Sequence, residues 1–287
     1  VVIDELLKIG VTLVEGNEYS NPILESILVL SNLLDVDKTY IYIHGKKEVN
    51  KDIEDRFIKI MKKRKTGYPI QYILGEREFM GLNFHVEEGV LIPRPETELM
   101  VEYIIDYINK EYPMENINVL DLGIGSGAIS LSIGKYCANT MVYGVDIEYK
   151  PIYVGNINKD RFNLSNVNFY QGDLFEAIED LDLKNKIHII ASNPPYIKTK
   201  DLESLQKDVR DFEPKTALDG GEDGLDFYRK ISHKSKNYLI HGGLLIYEIG
   251  YDQGNQVKSI LDGEGFTNIS ILKDLQGHDR VVLGFME

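Results

Sequence analysis

The residues with the clearest chemical potential in this sequence are Asn193-Pro194-Pro195-Tyr196. They follow the apolar run Ile187-His188-Ile189-Ile190-Ala191-Ser192, which reads as a buried strand. Two consecutive prolines fix φ, remove two backbone donors and hold the residues before them extended. The product is a rigid corner at the carboxyl end of a strand, the edge at which open α/β sheets bind ligands. A planar NH2 group fits such a corner, with the Asn193 side-chain oxygen and the Pro194 carbonyl as acceptors and the Tyr196 ring as a wall. Read alone, the four residues fit a proline-rich turn after a strand equally well.

A second constellation lies upstream. Asp121-Leu122-Gly123-Ile124-Gly125-Ser126-Gly127 stands between a strand, Ile117–Leu122, and a helix, Ala128–Tyr136. Glycines at three alternating positions permit a tight turn and let a ligand approach the backbone closely. The spacing is neither that of the dinucleotide fingerprint nor that of the P-loop, and no lysine follows. Asp146 ends the next strand, where an acid can accept hydrogen bonds from both hydroxyls of a ribose. Asp173-Leu174 follows the third strand. Leu174 either flanks an adenine ring or belongs to the core, and Asp173 either meets the exocyclic amine or caps a helix over 174–178.

The elements that carry these residues can be read from periodicity. Residues 1–67 predict helices. Ile3, Leu6, Leu7, Gly10, Val11 and Val14 share one face, Asn21-Pro22 opens a second helix over 23–34, and a third runs over Lys51–Lys65 to a stop at Gly67. Its basic end, Lys62-Lys63-Arg64-Lys65, reads as a solvated terminus favoured by the helix dipole. Over 68–92 the period changes. Tyr72-Ile73-Leu74-Gly75 and the run from Phe79 to Val86 predict two short strands, a hairpin linking two domains. Pro95 then opens a helix with Glu96 and Glu98 in its first turn. From residue 117 onward strands alternate with helices, at Ile117–Leu122, 141–146, Val167–Gln171, Ile187–Ser192 and 243–249. This predicts a mostly parallel, doubly wound α/β sheet with helices on both faces. Two last strands, 269–273 and 281–285, lie too close for a crossover helix and should pair antiparallel.

Composition narrows the function classes. The 287 residues are 43% hydrophobic and 27% charged, as in ordinary globular domains. The net charge of −14 lacks the basic footprint of a duplex-DNA binder and suits a basic protein partner or a small molecule. The single cysteine, Cys137, excludes an internal disulfide and fits a reducing compartment. No apolar run approaches the roughly 18–20 residues that span a bilayer, and no basic-plus-apolar leader stands at the start, so a cytoplasmic protein with no membrane partner is expected. The six histidines never reach metal-ligand spacing, and no metal site is expected.

Glycine turn, ribose acid, adenine edge and Asn-Pro-Pro-Tyr, taken in strand order, resemble the class I S-adenosylmethionine-dependent methyltransferases. Further runs narrow the resemblance: Gln71-Tyr72-Ile73-Leu74-Gly75, Glu78-Phe79-Met80-Gly81, Leu91-Ile92-Pro93-Arg94-Pro95-Glu96-Thr97-Glu98, Glu213-Pro214, Ala217-Leu218, Gly224-Leu225 and Gly277-His278-Asp279-Arg280-Val281. From residue 68 onward the chain is similar to the HemK-type peptide chain release factor glutamine methyltransferases. Ile124 and Tyr68 depart from that family's usual residues. The resemblance implies a seven-stranded methyltransferase sheet over 93–287, a hairpin linker over 68–92 and a small helical substrate-recognition domain over 1–67. It implies S-adenosyl-L-methionine at Gly123, Ile124, Gly125, Ser126, Gly127, Asp146, Asp173, Leu174 and Asn193. It also implies a glutamine site at Asn193, Pro194, Pro195 and Tyr196, of which Asn193, Pro194 and Tyr196 take part in catalysis. The implied substrate is the glutamine of the Gly-Gly-Gln motif in translation release factors, with no direct nucleic-acid contact. Arg94 and Glu96 either brace the pocket or orient the linker, and Glu248 is expected to be structural. The rival readings are a DNA adenine or cytosine amino-methyltransferase, which must flip its base out of the duplex, and a non-catalytic module that binds release factors.

Overall fold

The computed structural model describes residues 1–16 and 21–287. The chain divides into two compact units, Val1–Glu76 with Gln206–Phe212, and Arg77–Leu205 with Glu213–Glu287.

The first unit is helical: α1 (Ile3–Val14), α2 (Pro22–Leu34), α3 (Lys38–Ile43), α4 (Lys51–Lys65) and α5 (Ile70–Leu74). Asn21, Asp37 and Asn50 cap α2, α3 and α4 by accepting N–H bonds from Leu24, Tyr40 and Ile53. Ile3, Leu6, Val14, Leu30, Phe57 and Met61 form its core. A Cβ at Gly10 would lie 2.6 Å from both Phe57 and Ser26, so glycine lets these helices approach closely.

Two expectations are corrected here. The basic end of α4 is not uniformly solvated. Arg64 is buried, and its Nε and Nη2 donate to Glu25 Oε2 and Oε1 at 2.9 and 3.1 Å. Removing one partner of a buried, two-point ion pair strands the other charge. Arg64→Ala is expected to cost about 3–5 kcal/mol in urea unfolding of this unit, and Arg64→Lys to recover only part, because an ammonium cannot make both bonds. The second correction concerns Tyr72-Ile73-Leu74, expected as a strand. These residues lie in α5, which ends at Gly75 in the left-handed region with φ 74°.

The hairpin is β1 (Glu76–Phe79) and β2 (Leu82–His85), in the second unit from Arg77 onward and folded back within the run expected as a single strand. Its turn residues Met80 and Gly81 both have positive φ, 51° and 69°, as a two-residue hairpin turn requires. Then come α6 (Pro95–Glu111), β3 (Ile117–Leu122), α7 (Ala128–Tyr136), β4 (Thr140–Asp146), α8 (Tyr149–Phe162), β5 (Val167–Gln171), a 3-10 helix (Leu174–Leu181) and β6 (Ile187–Ser192). After α9 (Lys207–Phe212), which groups with the first unit, the chain continues through α10 (Asp226–Ser235), β7 (Leu239–Glu248), α11 (Gly254–Gly263), β8 (Phe266–Lys273) and β9 (Asp279–Met286).

The seven-stranded sheet has the order β5-β4-β3-β6-β7-β9-β8. Strands β3 to β7 are parallel, and β9 is antiparallel to both β7 and β8. Val119, Val142, Ile189 and Leu244 are buried in one core cluster, and Leu120, Ile190, Leu245 and Val282 in another, as expected of strands buried on both faces. The strand order reverses at β3, which lies between β4 and β6. The crevice outside the carboxyl ends of β3 and β6 is therefore the switch-point site of an open α/β sheet. Among the described residues, no helix is long and apolar enough to cross a membrane.

Candidate active site

A cavity of about 490 Å³ opens at that switch point. Gly123 and Gly125 line it from the turn after β3, Asp146 from the end of β4, Asp173 and Leu174 from beyond β5, and Asn193, Pro194 and Pro195 from beyond β6. Four strand ends thus converge on one space, of the size that small-molecule sites occupy.

The glycine turn is shaped by its backbone. Gly123, Gly125 and Gly127 have φ 84°, 54° and 83°, values that disfavour any side chain. Ile124, Ser126 and Gly127 do not line the cavity. Ile124 is buried, with its side chain close to Gly144 and Gly155, and Gly127 precedes α7. The carbonyl of Ser126 accepts from Asn158 Nδ2 at 3.0 Å. Below the turn, buried Asp121 Oδ2 accepts from Ser130 N and Oγ, while its Oδ1 has no partner among the described residues. Burial pushes the Asp121 carboxyl up to about 7, against the pull of the Ser130 bonds.

Asp146 faces the same turn. Its Oδ2 accepts from Gly125 N and its Oδ1 from Glu148 N, both at 3.1 Å. Burial nevertheless raises its carboxyl to about 6. Each carboxylate oxygen retains a lone pair for a ligand hydroxyl. Asp173 makes no side-chain capping bond to the 3-10 helix after it. Leu174 sits at φ 48°, a strained position for a branched residue and one that often accompanies ligand sites.

The proline corner is held from several sides. Ser192 Oγ donates to Leu122 O at 2.6 Å, tying β6 to β3. Gln253 Nε2 donates to Tyr196 O at 3.0 Å. Ile197 N donates to Leu218 O and Gly220 N to Ile197 O, so the segment after Pro214 lies alongside the corner. A Cβ at Gly220 would stand 2.7 Å from both Pro195 O and Tyr196 Cα. Gly220→Ala must therefore push backbone against backbone. It is expected to lower stability by about 1–3 kcal/mol, read from the urea midpoint. An unchanged midpoint would mean that the corner yields.

Tyr196 is partly buried but does not line the cavity. Burial and the nearby Glu248 carboxylate push its hydroxyl well above the usual phenol range, so the ring is neutral. Sequence reading missed the second wall, formed by Leu91, Pro214, Lys215, Thr216, Ala217 and Asp219. Arg94 Nη2 donates to both Glu213 oxygens, at 2.6 and 2.7 Å, directly before that wall. This ion pair ties Arg94 to the residue that precedes the wall. Leu91, Arg94, Glu213, Pro214 and Ala217 belonged to motifs already singled out, and that was the available signal.

Comparison with known proteins places the chain in a family. The family described as the PrmC N-terminal domain matches residues 5–75, and one described as a methyltransferase domain matches residues 113–233. A release factor glutamine methyltransferase of Clostridium acetobutylicum is 43% identical over 284 residues, covering 98% of this chain and 96% of that protein. One from Fusobacterium nucleatum is 39% identical, covering 96% of this chain and 76% of that protein. A methyltransferase crystal structure from Pyrococcus furiosus superposes with a TM-score of 0.52 at 18% identity, covering 72% of this chain and 90% of that one, a likeness of fold alone. With this degree of identity over nearly its full length, the chain belongs to the release factor glutamine methyltransferase family.

Proposed function

We propose that this protein transfers a methyl group from S-adenosylmethionine to the side-chain amide nitrogen, N5, of the glutamine in the Gly-Gly-Gln motif of peptide chain release factors. The supporting observation is the shared cavity, in which a glycine turn, a ribose-type acid and an amide-bearing proline corner meet. The residues present fit a nucleoside cofactor. Gly123 presents bare backbone to the cavity, with room around the position of a missing Cβ, and Asp146 has lone pairs free for hydroxyls. In this reading Gly123, Gly125 and Asp146 hold the cofactor, and Leu174 flanks its base.

When bound, S-adenosylmethionine supplies a methyl group on a positively charged sulfur. The substrate amide is a poor nucleophile, because its lone pair is delocalised into the carbonyl. Asn193 Oδ1 and the Pro194 carbonyl accept its two N–H bonds, which aims the nitrogen and favours the positive charge that builds on it. Holding the two reactants in line supplies much of the remaining rate through proximity. Tyr196 packs against the core beside the cavity, so its part is to stiffen the proline corner, and its neutral hydroxyl is no base. The proton leaves after transfer, when the amide is far more acidic. The helical residues 1–67 serve as the release-factor recognition domain and 68–92 as the linker. The net charge of −14 favours a protein over a nucleic acid as substrate, and the site of action is the cytoplasm.

The test is peptide mass spectrometry of a release factor incubated with enzyme and cofactor. One added methylene on the Gly-Gly-Gln glutamine is expected. A methylene elsewhere, or none with cofactor demonstrably bound, would overturn the reading.

A further inference from the structure

At the proline corner Asn193 meets two buried polar residues that the chemistry above does not use. Asn193 Nδ2 stands 3.3 Å from Thr97 Oγ1, and Thr97 Oγ1 donates to Glu248 Oε2 through a very short bond. The Glu248 carboxylate is a second acceptor for the Asn193 side chain. Thr97 and Glu248 are 4% and 2% exposed, and they stand on α6 and at the end of β7, 151 residues apart.

We propose that Thr97 and Glu248 are positioning residues for methyl transfer, fixing the Asn193 amide with its nitrogen inward and its oxygen toward the substrate. The inference rests on the reading of Asn193 Oδ1 as an acceptor for the substrate amide.

The argument is one of hydrogen-bond direction. A threonine hydroxyl has a single proton to give. An ionised carboxylate can only accept, so that proton goes to Glu248, and the face of Oγ1 turned to Asn193 is a lone pair. The inner edge of Asn193 therefore meets two acceptors, and only its NH2 satisfies them. Oδ1 is left to face outward. A flipped amide would set Oδ1 against two acceptors inside the protein and offer the substrate N–H bonds a donor, which repels them. Without these two residues the two ends of the amide differ little in shape, and the proline corner alone does not choose between them. Burial raises the Glu248 carboxyl to about 7, with the Thr97 bond and Arg280 opposing that rise and Glu96 adding to it. The one-way direction belongs to the ionised carboxylate, so the rates are compared above that value, where Glu248 has no proton to give.

The test is single-turnover methyl transfer to a release factor at saturating cofactor, with cofactor affinity measured in parallel. Thr97→Val is expected to lower the rate about 10²-fold, the cost of a misplaced reacting group, with little change in cofactor affinity. Thr97→Ser, which keeps the hydroxyl, should restore most of it. Asn193→Asp places a second carboxylate against Glu248 and should be severe. Adding Glu248→Gln to that variant supplies an N–H and lets the chain of bonds run in reverse, from the new amide on β7 through the Thr97 hydroxyl to the new carboxylate on the proline corner. A recovery of about tenfold is expected, as for coupled residues in one network. A Thr97→Val rate equal to that of the unaltered protein, or no recovery in the double variant, would overturn the proposal. If the unaltered protein transfers no methyl group, the proposed function fails instead. The relay is then read from hydrogen exchange of the Asn193 side-chain NH2, slow in the unaltered protein and fast in Thr97→Val. Equal exchange in both would overturn the relay.

Discussion

Asn193→Ala is expected to lower the rate of methyl transfer about 10³-fold, while cofactor affinity changes far less. The substitution removes the side-chain acceptor on the proline corner and leaves the glycine turn and Asp146 untouched. An acceptor that acts on charge developing at nitrogen matters more in the transition state than in the bound complex, so its loss falls on turnover. Loss of one pre-aimed hydrogen-bonding group typically costs about 10²–10³ in rate. Asn193 also fixes the angle of the amide, and misalignment adds to the deficit. Some loss of cofactor affinity is expected, because Asn193 borders the same cavity. Single-turnover rates with calorimetry on the same preparations separate the two effects. Equal losses of rate and affinity would make Asn193 a binding residue only.

Asp146→Asn should act on the other side, raising the cofactor dissociation constant about 10²-fold through the loss of charge-assisted bonds worth roughly 1.5–3 kcal/mol each. The carboxylate already receives N–H bonds from Gly125 and Glu148. An asparagine must turn its own NH2 toward one of them, which disturbs the glycine turn as well as the hydroxyl site. The pH dependence carries a sign that checks the role. Burial raises Asp146 from 3.8 to about 6, so the folded chain holds this proton more tightly than the unfolded chain. Between about 4 and 6 the native state therefore binds the extra proton, and the contribution of this group to stability falls as pH rises. Ligand hydroxyls favour the ionised form, so cofactor affinity moves the opposite way. It is full above about 6 and falls as pH drops below that value, by at most about tenfold per unit. In Asp146→Asn the affinity slope should vanish. The stability slope should shrink but persist, because Asp121 and Glu248 are raised to about 7. A binding slope that survives the substitution would assign the titration to another group.

Much of this site was legible in the sequence because its residues are local to strand ends. Gly123, Gly125, Asp146, Leu174 and Asn193 each lie at or just past the end of a run of β-type residues, and the parallel sheet brings those ends together. What escaped was of two kinds. Short runs such as Tyr72-Ile73-Leu74 carry too few residues to separate a strand period from a helical turn. The left-handed Gly75 that ends α5 was compatible with either reading. Met80 at φ 51° gave no composition signal for a turn, so the hairpin was placed one segment too early. The other misses are long-range. The partners of Arg64, Arg94 and Thr97 lie 39, 119 and 151 residues away, and no local pattern announces them. Arg64 resembled its solvated neighbours, and Glu248 resembled an ordinary strand end, until the fold supplied Glu25 and Thr97.

The most direct measurement is transfer of labelled methyl groups from S-adenosylmethionine to three acceptors in parallel: a purified release factor, the same factor with Gly-Gly-Gln→Gly-Gly-Ala, and a DNA duplex. Label on the unaltered factor alone is the predicted result. Label on the duplex, or equal label on both versions of the factor, would contradict it.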